Sequence, residues 1–174
     1  AKEFELAIQW LMDAGLVHKV CQVCKPEAPL TFYEESDAFK LFLLDCGLLG
    51  AMNMTDATEA MLTDNIFEEY NGALTEQLVL QELKCVPNLP VYYYTKPNSQ
   101  QEIDFVIDIK NCAIPIEAKA GENLQAKSLK QFIQENKSEK AIKTSLKQYK
   151  SNEIIDNVPL YALYCYLLEP RSTN

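Results

Sequence analysis

The chain has 174 residues, 48% of them hydrophobic and 24% charged, with a formal net charge of −9. That length and apolar content suit one domain or a small module plus one. No run of about eighteen apolar residues occurs and no signal-peptide pattern opens the chain, which excludes a helical membrane span and points to a cytoplasmic protein. A phosphate-cradling Gly-x-x-x-x-Gly-Lys-Ser/Thr loop is absent among only five glycines, which excludes ATP hydrolysis by that route.

In chain order, Leu6, Trp10 and Leu11 predict an amphipathic helix, ended near Gly15 and followed by a strand-like run from Leu16 to Val23. Turn signals follow at Lys25-Pro26 and Ala28-Pro29, and residues 1–55 read as a linker module. The start at Ala1, inside an apparent helix, suits a C-terminal portion of a longer protein. Residues 56–68 read as a polar connection, and 69–174 as the main domain. Leu74, Leu78, Val79 and Leu83 predict a helix over Asn71–Cys85, with Glu76 in its first turn and Glu82 further along. An acid in a first turn is also what the helix dipole favours. Alternation puts Tyr92 and Tyr94 on one face and Tyr93 on the other, which reads as core packing with an amphipathic rim rather than base stacking. Beyond residue 120, a helix is expected over Ala126–Asn136 packing Leu129, Phe132 and Ile133, then a strand over Ala141–Leu146 and a last strand over Leu160–Leu167. The six cysteines read as reduced, mostly buried small hydrophobes. Only Cys21 and Cys24 have ligand-like spacing and His18 is the only histidine, so a zinc site is not expected.

Residues 102–119 carry the chemistry. Two apolar runs flank an Asn-containing break, so the segment reads as a β-hairpin whose strands hold ionisable groups where Val or Ile would pack more cheaply. On the second strand Glu117 and Lys119 share a face and Ala118 takes the other, while Asp104 lies across the hairpin near Glu117. Two carboxylates with an ammonium at a sheet end suit a hard divalent cation, with the lysine orienting or helping to deprotonate a bound water. Glu117 and Lys119 alone also fit a solvated pair on an edge strand.

Gly72-Ala73-Leu74-Thr75-Glu76, Val91 to Thr95, Glu102 to Ile107 and Pro115 to Gly121 resemble the C-terminal domain of unknown function of prokaryotic AAA-type ATPases. That domain is similar in pattern to the PD-(D/E)XK, restriction-endonuclease-like nuclease superfamily. The resemblance implies an α/β fold, a mixed four-stranded sheet flanked by helices in the order helix, three strands, helix, strand. It implies magnesium or manganese bound by Glu76, Asp104 and Glu117, with Asp104, Glu117 and Lys119 as the catalytic residues and the Ala118 carbonyl as a further ligand. Upstream, the Trp10-to-Leu16 pattern resembles a winged-helix-like segment that links such a domain to its ATPase, and Phe39 to Leu49 is similar to the strand and turn that follow. Gln77 departs from the pattern, where Asn is more usual.

The implied partners are the N-terminal ATPase domain and DNA or RNA, with no membrane; an oligomer stays open. Charge separates along the chain: residues 1–118 hold 7 basic and 19 acidic residues, whereas 119–150 hold 8 lysines and 3 acids. That lysine block reads either as a guide for a phosphate backbone or as a solvated face, and Arg171 is the only arginine. Two functions follow, a metal-dependent nuclease and a non-catalytic interaction or regulatory domain of the ATPase.

Overall fold

The computed structural model describes residues 4–53, 68–97, 101–120 and 127–168. Its helices are α1 (Glu5–Asp13), α2 (Cys46–Met52), α3 (Glu68–Lys84), α4 (Lys127–Asn136) and α5 (Leu163–Leu168). Its strands are β1 (Val17–Val23), β2 (Glu34–Leu43), β3 (Val91–Thr95), β4 (Glu102–Ile109), β5 (Cys112–Lys119), β6 (Ala141–Ser145), β7 (Lys150–Ser151) and β8 (Ile155–Pro159). The expected order of helix, three strands, helix, strand is present as α3, β3, β4, β5, α4 and β6. The sheet is larger than the four strands expected: eight strands run β2-β1-β3-β4-β5-β6-β8-β7. The β1–β2 hairpin extends one edge through a parallel contact at Gln22 and Tyr93, and β8 extends the other parallel to β6. The protein is thus a mixed α/β fold, helices flanking one mixed sheet.

Each face of the sheet buries its own cluster. On one, Val79, Leu80 and Leu83 of α3 meet Tyr93, Phe105, Ile107, Ile114, Ile116 and Leu163 of α5. On the other, Leu129 and Phe132 of α4 meet Tyr92, Tyr94, Ile103 and Val106. The predicted alternation of the three tyrosines holds, since Tyr93 faces α3 while the Tyr94 ring meets Phe132 edge-on at 5.5 Å. Full burial of a side chain such as Phe132 contributes about 1.5–3 kcal/mol.

Several expectations are corrected. The helix begins no later than Glu68, so Glu76 lies about two turns inside it and the first-turn dipole reading lapses. The last strand is Ile155–Pro159, while Leu160–Leu168 forms a 3-10 turn and α5. Leu160 and Leu163 are buried at helical spacing, and polar Asp156 and Asn157 hid the strand from its apolar pattern. Asp156 is buried beneath Ser151, Tyr166 and Lys140, whose hydrogen bonds bind β7 and α5 to β8. No cysteine is buried: Cys24, Cys85, Cys112 and Cys165 are exposed, Cys21 and Cys46 half-buried, and all six are free. Helix α1 forms as predicted, yet Phe4 and Trp10 are each 65% exposed. Of the polar connection expected at 56–68, Glu68 instead opens the described part of α3, and 56–67 lie outside the described residues. Among them, no helix is long and apolar enough to cross a membrane.

Candidate functional site

The β4–β5 hairpin turns through Lys110 and Asn111, whose φ values of 54° and 61° are the left-handed pair that a two-residue hairpin turn needs. From there the strands pair in register up to Phe105 and Ile116. Next along, the β3–β4 register shifts: Tyr92 pairs with Val106 but Tyr94 pairs with Ile103, so β4 carries one extra residue. Asp104 lies in that bulge, an irregularity that re-aims a side chain. Its Oδ2 accepts the Ala118 N–H at 2.7 Å, taking over where backbone pairing stops.

Glu117 immediately precedes Ala118 on β5. Its side chain is only 6% exposed, and Oε1 holds the Lys119 ammonium at 2.6 Å. The second oxygen, Oε2, is buried with no hydrogen-bond partner among the described residues. A buried, unsatisfied carboxylate oxygen is destabilising, and such a group in a native fold calls for a reason. Glu76 comes from α3, where its Oε2 lies 3.6 Å from Lys40 Nζ of β2. Lys40 also pairs closely with Glu102 and sits 5.2 Å from the centroid of the Tyr93 ring.

Electrostatics show these groups acting on one another. Burial, then the charges of Glu117 and Glu76, push Asp104 up to about 7 from an ordinary 3.8. Burial also raises Glu117, against the opposing hydrogen bond and charge of Lys119. For Lys119, burial works against the ammonium, but Glu117, Asp104 and Glu76 outweigh it and raise its pKa. Lys119 therefore stays charged at neutral pH and is suited to offsetting negative charge rather than to taking a proton. Glu76, Asp104, Glu117 and Lys119 are thus brought into one electrostatic neighbourhood. Among the described residues, however, no group of three or more His, Cys, Asp or Glu is close enough to hold a metal ion. The inner pair is Asp104 and Glu117, and Glu76 lies 3.6 Å from Lys40.

Glu82, the other acid of α3, accepts the Tyr164 N–H at 3.1 Å at the start of α5 and takes no part in this cluster. Gln77, the departure noted in the sequence, is buried and clasps Leu43 of β2 twice, donating from Nε2 to its carbonyl at 2.8 Å and accepting its N–H on Oε1 at 3.0 Å. One turn on, Gln81 Oε1 accepts the Cys46 N–H at 3.3 Å. The two glutamines at i and i+4 were the sequence's sign that this helix stripe reads backbone, and they explain why β2 brings Lys40 to Glu76. Lys40 and Glu102, which sequence reasoning passed over, carry only weak signals: one is a lysine inside an apolar strand and the other the first residue of β4.

The lysine block gathers as well. Burial and the charges of Lys147, Lys130 and Lys150 lower the Lys143 pKa, so lysines from α4, β6, β7 and the loop before β7 form one basic patch. In the parallel register Lys143 is the neighbour of Glu117.

A family model described as Domain of unknown function (DUF4143) matches residues 71–163, more than half of the chain. The chain belongs to the DUF4143 family. The three acids and the lysine of the candidate site, Glu76, Asp104, Glu117 and Lys119, fall in the DUF4143 span. A second model, Domain of unknown function (DUF8612), matches residues 1–59 and so includes Lys40 and the β1–β2 hairpin. No curated protein and no solved structure matches this DUF4143 chain.

Proposed function

We propose that this DUF4143 chain is a PD-(D/E)XK-type, metal-dependent nuclease domain working beside an AAA-type ATPase. The observation that carries the reading is the buried, unpartnered Glu117 Oε2 next to an Asp104 pushed up to about 7. Two carboxylates forced together in a half-buried site are suited to a cation that neutralises both. Magnesium commonly takes only one or two protein carboxylates and completes its shell with water and substrate phosphate, so the pair fits it. Asp104 and Glu117 would hold the ion, with the Ala118 carbonyl and, through water, Glu76. The chemistry supplied by bound magnesium or manganese is polarisation of the scissile phosphate and a lower pKa for a coordinated water. Lys119, kept charged by its acid neighbours, offsets the charge that builds on the phosphate oxygens. Lys130, Lys143, Lys147 and Lys150 supply a non-specific hold on a polyphosphate backbone.

The helix, three-strand, helix, strand order supports a restriction-endonuclease-like core, and α1 with the β1–β2 hairpin supports a winged-helix-like linker module. The test is cleavage of labelled single-stranded, duplex and branched DNA and RNA with magnesium or manganese, with the ATPase portion present. Wild type should cut, and Lys119→Ala and Glu117→Ala should not. Intact nucleic acid in every wild-type reaction overturns the reading. A second reading, a non-catalytic interaction domain of the ATPase, is favoured by one observation: Glu76 is engaged by Lys40 and no three-acid group forms among the described residues. Failure to cut, with metal-independent binding to the ATPase, would support it.

A further inference from the structure

The reading of Asp104 and Glu117 as a divalent-cation site leaves Lys40 unexplained. A lysine in the middle of a strand beside Phe39, Leu41 and Phe42 would ordinarily send its ammonium to solvent. Instead its side chain is only 27% exposed, paired with Glu102, 3.6 Å from Glu76, and lying over the Tyr93 ring. Its place is fixed at itself and at the C-terminal end of β2: Lys40 pairs with Val20 of β1, and Leu43 is clasped by Gln77, the neighbour of Glu76 on α3. A side pocket of about 510 Å³ opens at the same spot, lined by Lys40, Phe42, Leu43, Leu49, Ala73 and Glu76. Lys40 belongs to the segment matched by the DUF8612 model, while the acids it meets belong to the DUF4143 span.

We propose that Lys40 is a resident counter-ion, delivered by the β1–β2 hairpin, that holds Glu76 away from Asp104 and Glu117 in the metal-free protein and that a divalent cation must displace to recruit Glu76. The inference rests on the cation-site reading and goes beyond it, because it makes metal affinity a property of the N-terminal hairpin as well as of the acidic domain. A cation cannot sit among these carboxylates without competing with an ammonium a few ångströms away, since like charges at that distance repel strongly where water is partly excluded.

The experiment is calorimetric titration of the full chain with Mn2+, using wild type, Lys40→Met, Lys40→Arg and Asp104→Asn. Lys40→Met should bind Mn2+ about tenfold more tightly than wild type, and Lys40→Arg, which keeps the charge, should stay near wild type. Should Lys40→Met not fold, Lys40→Gln is titrated in its place. A second measurement uses wild type itself: the Lys40 ε-methylene NMR signal, assigned by its loss in Lys40→Arg, should shift as Mg2+ is added. Binding in wild type that Asp104→Asn abolishes, with Lys40→Met equal to or weaker than wild type, overturns the counter-ion role alone. So does a Lys40 signal that stays fixed while Mg2+ binds. A wild type that binds neither ion overturns the cation-site reading and this inference with it.

Discussion

Asp104→Asn should make the metal-free protein more stable, and the gain should grow with pH. In the folded chain Asp104 titrates at about 7 instead of 3.8, so between those values the native state keeps a proton that the unfolded chain has released. Native stability therefore falls as pH rises through that window. Each unit corresponds to about 1.36 kcal/mol, and the slope flattens as Asp104 itself titrates near pH 7, so from pH 5 to pH 7 wild type loses about 2.3 kcal/mol relative to Asp104→Asn. The asparagine oxygen can still accept the Ala118 N–H, so the hydrogen bond does not confound the comparison. For a chain of this size the widening equals about 5–9 °C in melting temperature. The assay is urea unfolding at pH 5, 6, 7 and 8 in EDTA, repeated with saturating Mg2+, which should close the gap by binding wild type preferentially. Stability curves for the two proteins that run parallel from pH 5 to pH 8 would refute convergence of the carboxylates.

Lys119→Met should leave Glu117 without its 2.6 Å partner and lower stability at pH 8 by about 1–3 kcal/mol, with the fold retained by circular dichroism and nucleic-acid cleavage lost. Complete unfolding would instead mark Lys119 as a structural partner. Gln77→Leu strands both the N–H and the carbonyl of Leu43 and should cost about 2–4 kcal/mol in urea unfolding, with faster hydrogen exchange at the Leu43 amide. Slow exchange there would show that β2 is held by something else. Glu82→Ala should cost about 0.5–2 kcal/mol through the lost cap on α5 and leave Mn2+ affinity unchanged. A fall in that affinity would put Glu82 in the site.

Residues 102–119 were legible as a hairpin because the Asn-containing break and the flanking apolar runs are local signals, and alternation alone paired Asp104 with Glu117. The bulge at Asp104 was not legible, since an extra residue in one strand shows itself only against its partner, here the two ends of the Tyr92-to-Tyr94 step. The sequence places Glu76 on the right helix but in the wrong turn, because the helix runs N-terminal of the Asn71-Gly72 start signal. The misjudged last strand has a similar cause: buried Asp156 owes its place to Ser151, Tyr166 and Lys140, partners that no apolar count detects. Lys40 was passed over, and Gln77 stood out as a departure without a role, for a common reason. Their meaning lies in contacts between segments far apart in sequence, which a local pattern does not reveal.

The Gln77–Leu43 clasp has a kinetic consequence. The β4–β5 hairpin closes a two-residue turn and can form early, so Asp104 and Glu117 meet through a local event. Lys40 reaches Glu76 and Glu102 only after β1 has joined β3 and β2 has docked on α3, contacts that require long loops to close first. During folding the two carboxylates and Lys119, which share this hairpin, are therefore brought together before Lys40 arrives. Divalent cations added at the start of refolding should reach the acids with Lys119 but not Lys40 competing, and so bind the nascent hairpin faster than they bind the finished protein.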